Sequence, residues 1–206
     1  MLPRIKFAVA EMLRIEDPWN IDITFAVSHF HDVVISKEGQ SEGVDMLIDI
    51  RYQGRKLDAD INEILKKCSI AMPVDAKRNQ MNASSNFEII RGILGAVREG
   101  KTYKLHSPGV FGELGGYPVI VSGSETEVKA FVCEDYFTMD QMRAKNRESI
   151  YLDGIENVSN GVLTYTDELL EKVQKAFGVQ LFKEVPFEQI DEVAGFIIRE
   201  IIEKNV

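Results

Sequence analysis

The sequence has little of what builds disulfide-stabilised or membrane-embedded proteins. Its 206 residues include only two cysteines and one tryptophan. Cys68 and Cys133 each lie among apolar neighbours and outside any C-x-x-C pair, so we expect two buried thiols rather than a disulfide scaffold. The longest uncharged apolar runs are far shorter than the roughly 18 residues of a membrane span, so no transmembrane helix is expected.

Positive charge is also scarce. Lys and Arg total 24 against 33 Asp and Glu, which gives a formal net charge of −9. No basic stripe interleaved with aromatic residues stands out, so we expect neither nucleic acid nor an anionic membrane surface as a partner. The first six residues mix charges into an apolar run and lack a signal-peptide core, which predicts a cytoplasmic protein.

What the sequence does have is the composition and periodicity of a globular α+β protein. Apolar residues make up 45% and charged residues 28% of the chain, which excludes a disordered or fibrous protein. Helical spacing and alternation of apolar residues predict the elements. The expected helices are 4–15, 61–68, 85–98, one opened by Thr138, 167–177 and a final helix from Pro186, and the expected strands are 21–27, 44–52, 103–106, 117–122, 127–133 and 161–165. This order predicts one α+β domain over residues 1–206, with a mixed or antiparallel sheet and helices packed mainly on one face.

Two of the predicted helices carry features that bear on function. Ser85 and Glu88 are predicted to form a capping box. Ser84, Ser85 and the free N–H groups of that helix start could hold a carboxylate or a phosphate, although simple capping is the favoured interpretation. Gly92 and Gly95 lie on another face of the same helix, which indicates close packing against a neighbour. The final helix has an apolar stripe wide enough to be buried or to face another subunit, so burial in the core and a homodimer through this helix are the two alternatives.

The three histidines of the chain all fall at predicted strand ends. His29 and His31 stand two residues apart, so in a regular strand they project from one face. With Asp32 and His106 they could supply the nitrogen and oxygen ligands of a metal. A general acid/base or substrate-binding role is favoured over metal binding, because histidine titrates near neutral pH. Capping of strand ends is the structural alternative.

A glycine-rich loop follows His106. Residues 107–116 contain four glycines, which let the backbone approach a ligand closely and expose N–H groups to an anion. The spacing in this loop does not match a nucleotide-phosphate fingerprint, and no helix signal follows it. The same glycines could instead serve a compact crossover between tightly packed strands, and both interpretations stay open.

Short motifs along the chain carry a family resemblance. They are His106-Ser107-Pro108-Gly109, Gly115-Gly116-Tyr117-Pro118-Val119, Asn146, Asp153-Gly154-Ile155-Glu156, and Gly161 with Tyr165-Thr166-Asp167-Glu168. Over roughly residues 5–180 the chain resembles the C-terminal, substrate-side region of two-domain NAD(P)-dependent proteins related to saccharopine and opine dehydrogenases. It departs from them in having no strand-G-x-G-x-x-G-helix unit, so the resemblance implies NAD(P) only where a separate or missing Rossmann domain binds it.

The resemblance implies a substrate-binding or catalytic domain for a small carboxylate or amino-acid-derived molecule. His31 and His106 would then be the catalytic acid/base candidates. The implied substrate-binding residues are His29, Ser84, Ser85, Gly109, Gly115, Gly116 and Tyr117. Two alternatives remain open: a non-catalytic ligand-binding or dimerisation module, and a histidine-based metal-dependent enzyme. Whether the chain is an enzyme at all is left open.

Overall fold

A computed structural model describes residues 2–27, 46–68 and 76–205. Its contacts divide the chain into two compact units, Met1–Ser149 and Ile150–Val206, and each unit is described by itself. The fold is α+β, as expected, and its described strands form antiparallel sheets. The strands lie in three small sheets rather than in one. The expectation of a single domain stays a prediction.

The first unit combines helices with two three-stranded sheets. Its described helices are α1 (Leu2–Leu13), α2 (Ile61–Cys68), α3 (Ala76–Glu99) and α4 (Met139–Leu152), whose last turn is counted with the second unit. The first sheet has the order β1 (Ile21–Ala26), β2 (Leu47–Tyr52), β3 (Arg55–Lys56). The second has the order β4 (Tyr103–Pro108), β5 (Gly116–Ser124), β6 (Glu127–Val132).

The main core lies between α1, α2 and the first sheet. Strand β1 pairs with β2 so that Ile23 faces Ile50, and both residues are buried with Ile5, Val9 and Ile64 from the two helices. The alternating pattern of β2 and the helical spacing of α1 place their apolar residues on these inner faces. Burial of each such side chain contributes about 1.5–3 kcal/mol, so this cluster holds β1 in place.

Helix α3 packs unusually close to the second sheet. A Cβ added to Gly92 would overlap the Leu105 side chain, and one added to Gly95 would overlap the Tyr103 ring. Both partners lie on β4. The close packing expected at the two glycines is therefore confirmed, and it leaves the opposite face of α3 to solvent.

The start of α3 differs from the sequence prediction. The helix begins at Ala76, nine residues before Ser85, so the Ser85–Glu88 pair does not open it. No proline, glycine or β-branched residue lies between Ala76 and Ser85, and nothing local therefore ends the helix there. The helix predicted to open at Thr138 is confirmed, and it begins with a capping box: Gln141 N donates to Thr138 Oγ1 over 3.3 Å, and Thr138 N donates to Gln141 Oε1 over 2.9 Å.

The second unit has its own small sheet, in the order β7 (Ile155–Ser159), β8 (Val162–Tyr165), β9 (Glu184–Pro186). Helix α5 (Asp167–Phe177) begins with a Thr166 cap and ends at Gly178, which has a φ of 69°. The final helix opens with a 3-10 turn, Phe187–Gln189, continues as α6 (Ile190–Ile197) and a π-helical turn, Ile198–Ile202, and ends as α7 (Glu203–Asn205). The expected helix at 167–177 and the helical run after Pro186 are confirmed.

Candidate functional site

The end of β1 meets β4 and β5 at one point in the first unit. A Cβ added to Gly116 would overlap both the carbonyl oxygen of Val27 and the imidazole of His106. Val27 follows directly on β1 and is buried. Three separate stretches of chain thus converge at Gly116, and only a residue without a side chain fits there.

A lysine holds β1 against β4 beside this junction. Lys104 Nζ lies 3.1 Å from Asp22 Oδ2 and 3.3 Å from Thr24 Oγ1, both on β1. The ammonium also pairs with Asp135 at 3.4 Å. The hydrogen bond and charge of Asp22 raise the pKa of Lys104 although its partial burial opposes the rise, so the link is maintained at neutral pH.

Asn146 fixes the backbone of Gly116. Its Oδ1 accepts a hydrogen bond from Gly116 N at 2.8 Å, and its Nδ2 donates to Gly116 O at 3.0 Å and to Met142 O at 3.0 Å. The side chain is fully buried, and a Cβ on Gly115 would overlap it. The Asn146 amide therefore hydrogen-bonds to both the N–H and the C=O of Gly116, as the backbone of a neighbouring strand would.

His106 is the one predicted catalytic residue that the described chain places at this junction. Its ring stacks on Phe25, with centroids 3.9 Å apart and planes 8° from parallel. The residue as a whole is partly exposed to solvent. Its Nε2 atom, however, is buried and has no hydrogen-bond partner among the described residues. Burial lowers the pKa of His106 to about 3, against an opposing effect from the Gly116 backbone. The imidazole is therefore neutral at physiological pH.

Tyr117 follows Gly116 on β5 and is fully buried with Ala26 and Met142. Its hydroxyl also lacks a hydrogen-bond partner in proper geometry among the described residues. The Asn146 amide is near enough to influence the phenol, but its hydrogen bonds are directed to Gly116 and Met142. Burial raises the pKa of Tyr117 above that of an ordinary phenol, so the hydroxyl stays protonated.

The glycine-rich segment is the loop of the β4–β5 hairpin. Gly109 N donates to Gly115 O at 3.0 Å and closes it, while Arg143 Nε lies 3.1 Å from both carboxylate oxygens of Glu113 and ties it to α4. Gly109 and Gly115 both have positive φ, as does Phe111, which is 73% exposed. The turn of this hairpin accounts for the positive φ of Gly109 and Gly115, and the ligand-binding interpretation of the loop stays a prediction.

The remaining predicted site residues cannot be placed at this junction. His29 and His31 lie outside the described residues. Ser84 and Ser85 lie inside α3, and their side chains are outside the described part of the chain. Within the described ranges, no group of three or more His, Cys, Asp or Glu side chains could hold a metal ion.

Both cysteines are confirmed as buried free thiols. Burial raises the pKa of Cys68 to about 11 and also raises the pKa of Cys133, so neither is an activated nucleophile. No helix in the described ranges is long and apolar enough to cross a membrane.

Two features were not predicted from the sequence. Asn146 is among the resemblance motifs, but its buried bonds to Gly116 were not predicted, and its position one helical turn after the buried Met142 was the available signal. Residues 95–102 match the spacing G-x-x-x-x-G-K-T, but they run from the end of α3 into β4. A phosphate loop needs a strand before it and a helix start after it, so this match has the wrong context.

Comparison with known proteins assigns no family to the chain. No family model, curated protein or solved structure matches it. The dehydrogenase-like resemblance therefore remains an expectation that comes from the sequence motifs.

Proposed function

We propose that this chain is the substrate-binding portion of a dehydrogenase-like protein that acts on a small carboxylate or amino-acid-derived molecule. The observation that carries the proposal is the junction of β1, His106 and Gly116, where an enclosed imidazole nitrogen has no partner among the described residues. Buried polar atoms are normally hydrogen-bonded, so an unpartnered one calls for an explanation, and the explanation that we propose is a ligand that hydrogen-bonds to it. The motif resemblance supplies the substrate class.

Within this proposal, His106 binds rather than transfers a proton. An acid/base group works best with a pKa near the operating pH, and burial lowers the pKa of His106 to about 3. A neutral imidazole with its proton on Nε2 donates a hydrogen bond to a carboxylate oxygen. The acid/base role first expected for His106 is therefore replaced by a binding role, and that expected for His31 stays a prediction.

The chain itself offers no site for NAD(P) that follows the usual motif. It contains no strand-G-x-G-x-x-G-helix unit, and its one phosphate-loop spacing has the wrong structural context. The proposal therefore places any hydride carrier on a separate nucleotide-binding domain.

A panel of small α-amino and α-keto carboxylates tests the proposed site. Each is titrated into ¹⁵N-labelled protein while the Gly116 and Tyr117 amide resonances are followed. We expect saturable shifts at these amides for at least one compound, and weaker binding in His106→Gln. A panel in which every compound leaves the Gly116 resonance unchanged would contradict the proposal.

A second proposal concerns self-association through the final helix. Ile190, Ile198 and Ile202 are 43%, 46% and 51% exposed, and their spacing puts them on one face. An exposed apolar stripe of this kind is typical of an interaction surface. A homodimer that covers this stripe is therefore our second candidate function for the chain.

Light scattering with size-exclusion chromatography tests the dimer. The unaltered protein should run as a dimer at micromolar concentration and Ile198→Glu as a monomer, because a buried carboxylate opposes the interface. Phe177→Glu, at an equally exposed apolar position on α5, is the matched control and should remain dimeric. A monomeric unaltered protein would remove this proposal without affecting the first.

A further inference from the structure

The solvent-facing side of α3 carries a groove that the proposed site does not use. Its cavity volume is about 280 Å³, and its lining comes from the second half of α3 and from Tyr103 on β4. The hydroxyl end of the Tyr103 ring packs against Gly95, where a side chain on the helix would overlap it. Gly95 and Tyr103, which pack together, both belong to the lining of the groove.

One side of the groove is apolar. Phe87, Ile90 and Leu94 are 60%, 54% and 45% exposed, and their spacing of three and four residues aligns them along one face of the helix. A contiguous row of large, exposed apolar side chains usually marks a binding surface. This side of the groove therefore suits a hydrocarbon or ring.

The other side of the groove carries positively charged side chains, and among the described residues one of them, Arg98, forms no ion pair. Arg91 pairs with Glu88 at 2.9 Å and lies over the Trp19 ring, and Glu99 pairs with Lys101 at 2.6 Å. Arg98 also lines the groove, and its guanidinium has no ion-pair partner within the described ranges.

We propose that this groove binds an amphipathic carboxylate, with its apolar part against Phe87, Ile90 and Leu94 and its carboxylate facing Arg98. Arginine binds a carboxylate through two parallel hydrogen bonds. The groove lies at the negative end of the α3 dipole, which opposes every anion and opposes a doubly charged phosphate more than a singly charged carboxylate, so Arg98 supplies the attraction. Its volume of about 280 Å³ is just below the roughly 300–1,000 Å³ of most small-ligand pockets, so the occupant is a small molecule. This inference does not depend on the proposed site at His106.

Octanoate is the probe for this groove. It is titrated below its micelle concentration into ¹⁵N-labelled protein, and the amide resonances of Gly95 and Arg98 are followed. We expect saturable shifts there, with Arg98→Gln weakening octanoate binding about tenfold because a charge-assisted contact is lost. Arg55→Gln removes an exposed arginine that lies outside the groove and should leave the affinity unchanged.

Two neutral or cationic probes separate charge recognition from simple apolar binding. Octanol and octyltrimethylammonium carry the same chain without the carboxylate, and both should bind at least severalfold more weakly than octanoate. Leu94→Gln changes an exposed position and should weaken octanoate and octanol alike. The inference is overturned if octanoate shows no saturable shifts near Arg98, if Arg98→Gln binds it equally well, or if the cation binds as tightly as the acid.

Discussion

At the scale of single residues, Asn146 holds the glycine-rich hairpin to α4. Its amide meets both polar groups of Gly116 in a fully buried setting. Because a buried amide group left without a partner costs far more than an exposed hydrogen bond contributes, this contact matters more than the surface ion pairs around it.

Asn146→Ala should lower the free energy of unfolding of the first unit by about 2–4 kcal/mol, since Gly116 loses both partners and a cavity forms. Urea denaturation followed by circular dichroism measures the change. Asn62→Ala, at an exposed position on α2, is the matched control and should shift stability by less than about 0.5 kcal/mol. Equal effects of the two substitutions would mean that the amide does not fix Gly116.

His106 should make stability depend on pH. Burial lowers its pKa in the folded protein to about 3, whereas the unfolded chain takes up this proton below about pH 6.5. The unfolded state therefore binds more protons in this window, and stability falls as the pH decreases from 6.5 towards 3. Between pH 7 and 5 the loss attributable to His106 should be about 2 kcal/mol.

The measurement compares urea unfolding of the unaltered protein and of His106→Gln at pH 7 and pH 5. His29 and His31 are present in both proteins, so the difference in slope isolates His106. The unaltered protein should lose more stability than the variant as the pH falls. Parallel pH profiles would show that His106 titrates normally and is not enclosed.

At the scale of elements, the contact between α3 and β4 depends on Gly95. Alanine is favoured over glycine in a helix by about 1 kcal/mol, but a Cβ at this position would overlap the Tyr103 ring. Overpacking of this kind costs about 1–3 kcal/mol. The overlap should therefore outweigh the gain in helix propensity.

Thermal unfolding of Gly95→Ala tests this balance, and we expect a lower melting temperature than in the unaltered protein. Gly195→Ala in α6 is the contrasting variant, because its Cβ would meet only the end of the Arg199 side chain at 3.2 Å. That substitution should raise the stability of the second unit slightly. A stabilising effect of Gly95→Ala would show that Tyr103 does not lie against the helix.

The elements differ in how far the sequence determines them. Strand β2 and helix α5 could be predicted because local alternation, the Thr166 cap and Gly178 all indicate the same structure. The start of α3 could not, because a correct capping-box pattern at Ser85 competes with an uninterrupted stretch of helix formers before it. Local patterns thus mislead where two of them overlap.

At the scale of the whole molecule, the sequence supports the α+β class but not the contacts that make a site. Fold class follows from periodicity, which is local. The contact between Val27, His106 and Gly116 depends on how two separate sheets pack. The spacing of residues in the sequence does not predict that packing. The buried state of His106 follows from that packing, so its low pKa could not be predicted from residue type.

The central claim is that His106 and Gly116 form a binding site for a small carboxylate. The most direct measurement is a pH titration of the His106 ring nitrogens by NMR, with and without a saturating carboxylate from the panel. A bound anion stabilises the imidazolium, so the account predicts that the pKa of His106 rises from about 3 when the ligand binds. A pKa of His106 that is the same in the free and saturated protein would contradict it.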